Sequence, residues 1–145
     1  SCDMPIGWRL ETSSTISTWL PAGTSSVAAS SHSCAKDSST GRLTVGLYTS
    51  GGPHPGVLLT QGAKSSPGTG WVTIDVPDAN VTAGTEYWIA ILGTQGGTLR
   101  FRDRAGGCRS ETSSSSALTA MPDTWTTGQS YTDCPLSSYG LGPSG

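Results

Sequence analysis

Between Gly41 and Leu92 the chain alternates apolar and polar residues in short runs, and Gly/Pro clusters punctuate them. The segment reads GRLTVGLYTSGGPHPGVLLTQG, a polar joint, then GWVTIDVPDANVTAGTEYWIAIL. Period-2 alternation places successive side chains on opposite faces of an extended backbone, so it selects half-buried antiparallel strands over helices. Leu43, Val45 and Leu47 point one way; Thr44, Gly46 and Tyr48 point the other. Val72, Ile74 and Val76 alternate with Trp71, Thr73 and Asp75, and Pro77 closes that strand. Thr85 to Leu92 is the most apolar run, which predicts a central strand buried on both faces.

Turns fall where Gly and Pro cluster. Ser50–Gly56 (SGGPHPG) and Ser65–Gly70 (SSPGTG) are two such turns, and the prolines of the first exclude a central strand there. Shorter strands are expected over Trp8–Leu20, weakly after Ser25, over Val57–Gln61 and over Thr98–Arg102. Past Gly106 the strand signal survives only at Ala117–Met121 and Ser130–Thr132. Ser137–Gly145 (SSYGLGPSG) reads as a linker or frayed end. No helical period of useful length occurs. The expected fold is all-β: an antiparallel two-sheet β-sandwich, jelly-roll-like, as one domain over residues 1–140 with a tail at 141–145.

At 145 residues the chain can bury a real core even with 34% hydrophobic residues. Only 12% of residues are charged, against a usual ~25%. Ser, Thr and Gly make up the difference, a surface common among secreted sheet proteins. With eight basic and ten acidic residues there is no basic stripe to bind nucleic acid. No apolar run reaches membrane-spanning length, and no leader-like segment opens the chain, so Ser1 reads as a mature or trimmed terminus.

Cys2, Cys34, Cys108 and Cys134 form no CxxC pair, which argues against zinc and for two disulfides. Three pairings are open. Cys2–Cys34 and Cys108–Cys134 is favoured, since each bridge pins a turn-rich flank locally. Each would close a loop of about thirty residues, worth roughly 3–4 kcal/mol in the chain-entropy model. Disulfides imply export, hence a secreted or extracellular protein.

The turn and strand motifs also carry a resemblance. Leu47-Tyr48, Gly51-Gly52-Pro53, Pro55-Gly56, Leu58-Leu59, Trp71, Ala83-Gly84-Thr85 and Tyr87-Trp88 resemble a family of bacterial secreted β-sandwich modules of the carbohydrate-binding-like kind. Such modules show a GGxPGxLL turn and an AGTxYW strand. The ending MPDTWTTGQSYTDCPLSSYG is similar to their close, and the resemblance covers roughly residues 41–140. It implies a module that sits beside a catalytic or surface-anchoring domain and binds a polysaccharide.

Sugar rings present apolar C–H faces that stack on flat aromatic side chains. Of the five tryptophans, Trp88 belongs to the core strand. Trp71, opposite the Val72/Ile74/Val76 face, reads as partly exposed, and the same logic exposes Trp19 and Tyr48. Trp125, in the polar loop PDTWTTG, is a candidate ligand platform or else a lid over one end of the sandwich, with Tyr131 beside it. Arg100 and Arg102, with Asp103, would complete a sugar-binding cleft; as a bland alternative they are a solvated sheet face with Asp103 closing a turn. Carboxylates at Asp75, Asp78, Asp103, Asp123 and Asp133 are the candidates for a structural calcium ion, but none sits in a DxDxDG loop, and no resident cofactor is expected. Catalysis is not expected either: His32 and His54 have no companion pattern, and no Gly-x-Ser-x-Gly occurs. Asn80-Val81-Thr82 is a glycosylation sequon whose expected role is a turn before the Thr85 strand. The expected function is therefore non-catalytic binding of an extracellular polysaccharide. The alternative is a self-assembling adhesion or filament subunit, whose exposed sheet edge pairs with a neighbouring copy.

Overall fold

A computed structural model describes residues 8–9, 12–16, 28–33, 40–67, 70–82, 85–97, 99–101, 104–134 and 138–141. Among them there is no helix. The strands are β1 (Trp8–Arg9), β2 (Thr12–Ile16), β3 (Ala28–Ser33), β4 (Arg42–Gly51), β5 (His54–Ser65), β6 (Gly70–Ile74), β7 (Tyr87–Thr94), β8 (Arg100–Phe101), β9 (Arg104–Ser113), β10 (Thr127–Cys134) and β11 (Ser138–Leu141). All pairings are antiparallel. One sheet runs β10-β9-β2-β7-β4-β5, a second runs β11-β3-β6, and β1 pairs with β8.

The most apolar run of the sequence becomes the centre of the six-stranded sheet. β7 lies between β2 and β4, and its first six residues, Tyr87–Leu92, are buried on both faces. On one face, Leu43, Val45 and Ile91 pack with Val72 and Ile74 of β6, so the three-stranded sheet covers this side. Leu47, Tyr87 and Ile89 continue the same face beneath Ala79 and Val81. Here the two backbones come close. A Cβ on Gly62 of β5 would meet the Asp75 carbonyl oxygen, so the missing side chain is what lets the segment after β6 cross β5.

The other face is covered without a sheet. Tyr48, Trp88, Ala90 and Leu92 pack against Met121 and Trp125, with Leu58 and Leu118 at the margin. Met121 and Trp125 belong to the segment between β9 and β10, which crosses the sheet as a strap. Backbone bonds tie the strap to the outer edge of β5: Leu58 N donates to Asp123 O at 2.8 Å and Trp125 N to Gly56 O at 3.1 Å. Gln61 adds an amide pairing with the Met121 backbone, and Tyr48 Oη donates to Pro122 O at 2.6 Å.

Several expectations change in this light. Tyr48 is wholly buried rather than exposed, because the strap makes the second face of β4 interior as well. Ala117–Met121 is the strap and not a strand, while β9 is a ten-residue strand despite its Gly- and Ser-rich sequence. Ser138–Leu141, expected to fray, pairs with β3 along Ala28–Ser31. The strand expected over Val57–Gln61 runs from His54 to Ser65, and it contains Pro55 because β5 is an edge strand.

Candidate functional site

The β4–β5 hairpin ends in the tight turn Gly51-Gly52-Pro53, where Gly52 adopts φ +81, a left-handed backbone that glycine takes without steric cost. In the six-stranded sheet β5 is separated from β9 by three strands. At about 4.8 Å per strand, a flat sheet would hold them about 19 Å apart. Yet His54 Nδ1, just past the turn, lies 2.7 Å from Oε2 of Glu111 on β9. The hairpin tip therefore curls over the strap-covered face and reaches the far strands.

Glu111 is the anchor of this contact. It is 1% exposed, on a face otherwise filled by Trp125 and Tyr48. A buried carboxylate is costly unless its lone pairs are taken. Trp125 Nε1 donates to Oε1 at 2.8 Å, Thr127 Oγ1 donates to the same oxygen at 2.6 Å, and His54 occupies Oε2. The Trp125 ring also meets Tyr48 edge-on, with centroids 5.6 Å apart at 74°. Burial raises the Tyr48 phenol well above its ordinary range, and the nearby Asp123 charge adds to this, so the hydroxyl stays a donor to Pro122.

Around this anchor a cleft of about 250 Å³ opens between the hairpin tip and the β9–β10 pair. Pro53 and His54 form one wall; Arg109, Ser110 and Glu111 of β9 and Ser130, Tyr131 and Thr132 of β10 form the other. Tyr131 is 37% exposed, one of three exposed large hydrophobic residues among the described ones. Arg109 Nη2 lies 3.4 Å from Glu86 Oε1, at the end of the sheet where Ser50 Oγ also approaches Glu86 at 3.3 Å. The cleft thus combines an accessible phenol ring, three hydroxyl residues, a guanidinium and an imidazole.

The site residues expected from sequence separate into three groups. Tyr131 lines the cleft. Trp125 is 8% exposed: its ring is the lid over the interior, not a ligand platform, because its indole N–H is committed to Glu111 and its faces to Tyr48 and the core. The side chains of Trp71, Arg100, Cys108 and Cys134, and all of Arg102, Asp103, Trp19, Cys2 and Cys34, lie outside the described residues. Trp88 is buried as expected. Asn80 is exposed in the segment before β7, where Thr85 N bonds Thr82 O in a turn. His54, Glu111 and Arg109 were not singled out together by the sequence. The first two stand 57 positions apart, one inside a turn motif and one inside a Ser/Thr run, so no local spacing links them. Among the described residues, no three His, Cys, Asp or Glu side chains converge as metal ligands would.

No family model, no curated protein and no solved structure matches the chain.

Proposed function

We propose that the chain is an extracellular, non-catalytic carbohydrate-binding module, and that it binds its glycan in the cleft between the hairpin tip and β9–β10. The observation that carries this reading is Tyr131: an exposed ring inside a concave site, flanked by Ser110, Ser130 and Thr132 and by Arg109. A pyranose needs an aromatic surface for its C–H face and hydrogen-bonding groups at its rim, and the cleft offers both. One ring and a few hydrogen bonds correspond to a weak site, with Kd on the order of 0.1–1 mM. The scaffold we infer is a jelly-roll-like two-sheet sandwich stapled by disulfides. Cys108 and Cys134 lie on the adjacent strands β9 and β10, but the register sets Cys134 opposite Arg104 and Asp133 opposite Gly107, so the second of the two bridges rests on the sequence reading. The sequence resemblance supports the same module class, with a polysaccharide as partner and a catalytic or anchoring domain as neighbour.

The self-assembling subunit has one observation in its favour. β5 is the terminal strand of its sheet, and it exposes Val57 (56%) and Leu59 (37%). The strap, however, already bonds the edge at Gly56 and Leu58, which shortens the free edge available for pairing.

The test is depletion of the purified protein on insoluble cellulose, chitin, xylan and β-1,3-glucan, with Tyr131→Ala alongside and with light scattering on the unbound fraction. Binding to one polymer that falls at least about tenfold in the variant is the expected result. No depletion on any polymer, with large assemblies in solution, would replace the module by the subunit.

A further inference from the structure

His54 is held in a way that leaves half of its chemistry unused. A carboxylate accepts hydrogen bonds and donates none, so the Glu111 contact assigns the ring hydrogen to Nδ1. In the neutral imidazole the other nitrogen, Nε2, then carries a lone pair. His54 makes no second hydrogen bond to the described residues, and its side chain is 45% exposed although Nδ1 faces a buried oxygen. The exposed part is therefore the ring edge opposite Glu111, and the residue lines the cleft together with Tyr131. Of the other wall groups, Arg109 donates only, the serine, threonine and tyrosine hydroxyls do both, and the Glu111 carboxylate, which only accepts, is buried and turned to Trp125, Thr127 and His54. His54 Nε2 is the one side-chain nitrogen of the cleft that only accepts.

We propose that His54 Nε2 accepts a hydrogen bond from one hydroxyl of a single sugar ring stacked on Tyr131, and that the module therefore recognises a chain end or side branch rather than the interior of a polymer. The proposal rests on the glycan-binding reading. The cleft volume of about 250 Å³ gives room for one ring against Tyr131. An extended polymer would also call for a row of exposed rings. Among the described residues of this region, Trp125 and Tyr48 are buried and Tyr131 is the exposed ring. Glu111 is then a positioning residue: it fixes the tautomer and the ring plane, and Trp125 and Thr127 fix Glu111.

The experiment is calorimetric titration with cellobiose, xylobiose, chitobiose and laminaribiose and with the matching hexasaccharides, using the wild-type protein, Tyr131→Ala and His54→Asn. Asparagine can keep an N–H toward Glu111 while removing the Nε2 position, so it separates the ligand contact from the structural one. The expected result is a disaccharide and hexasaccharide of one sugar binding within about threefold of each other. His54→Asn should weaken both about tenfold at an unchanged unfolding midpoint. A monodeoxy disaccharide lacking the recognised hydroxyl should lose the same factor on the wild-type protein and nothing further on His54→Asn. Affinity that climbs tenfold or more with chain length, or His54→Asn binding as the wild type does, would overturn the inference while Tyr131-dependent binding kept the module reading intact. No binding of any sugar by any form would overturn both.

Discussion

Removing the Glu111 carboxylate should cost more stability than any other single polar change on this face, and the cost can be apportioned atom by atom. Glu111→Ala orphans the buried Trp125 Nε1 at about 1–3 kcal/mol. Thr127 and His54 also lose a charged acceptor. Both are partly exposed and can turn to water, so together they add about 1–2 kcal/mol. The truncated side chain leaves a small void, worth up to about 1 kcal/mol. The sum is about 2–6 kcal/mol, which brackets the loss on breaking a buried ion pair and is a large part of a typical total stability of ~5–15 kcal/mol. Glu111→Gln retains an oxygen for Trp125 and Thr127 but presents an N–H₂ to His54, whose tautomer must invert. It should cost about 1–2 kcal/mol. Urea unfolding followed by tryptophan fluorescence measures all of this, with unchanged m-values securing the comparison. A cost below about 1 kcal/mol for Glu111→Ala, or equal costs for Ala and Gln, would refute the claim that this carboxylate organises the site.

Three further outcomes follow from the same contacts. Tyr48 stays protonated in the fold, while the unfolded chain ionises it near its ordinary value of ~10. Stability should therefore be intact below about pH 10 and fall by up to about 1.4 kcal/mol per pH unit above it; Tyr48→Phe should remove that alkaline slope while losing about 1 kcal/mol at neutral pH with the bond to Pro122 O. Gly62→Ala places a methyl group against the Asp75 carbonyl and should cost about 1–3 kcal/mol in chemical denaturation, whereas an alanine that left the midpoint unchanged would mean the two segments are not in contact. Val57→Lys, on an exposed position of the edge strand, should change stability by less than about 0.5 kcal/mol and leave both sedimentation and glycan binding as in the wild type.

What was legible in the sequence were the strands whose pattern is fixed locally. β4 and β7 announce themselves because Leu43, Val45 and Leu47, and the apolar run ending at Leu92, need a buried face wherever the rest of the chain goes. β9 and β11 were hidden because glycine and serine have little strand preference of their own; their pairing partners, β2, β10 and β3, make them strands. The sequence leaves Trp125 between platform and lid for a related reason. Its neighbours Asp123, Thr124 and Thr126 are exposed, so the segment looks like a surface loop, and nothing within it reveals that it crosses the second face of the sheet. The same strap accounts for Tyr48. Tyr131 stood out because it adjoined a Trp-bearing loop, but the residues that line the cleft with it did not: His54 is brought to Glu111 by a hairpin that curls across three intervening strands. Only the assembled sheet carries that information.

The most direct test of the central claim, that the cleft beside Tyr131 is where a glycan binds, is to map the site by amide chemical-shift perturbation. An isotopically labelled sample would be titrated with whichever soluble oligosaccharide corresponds to the polymer that depletes the protein. The account expects the largest shifts at Pro53-flanking amides, His54, Ser110 and Ser130–Thr132, with Val57–Leu59 unmoved. Saturable shifts centred on the β5 edge or on another face, with those cleft residues silent, would contradict it.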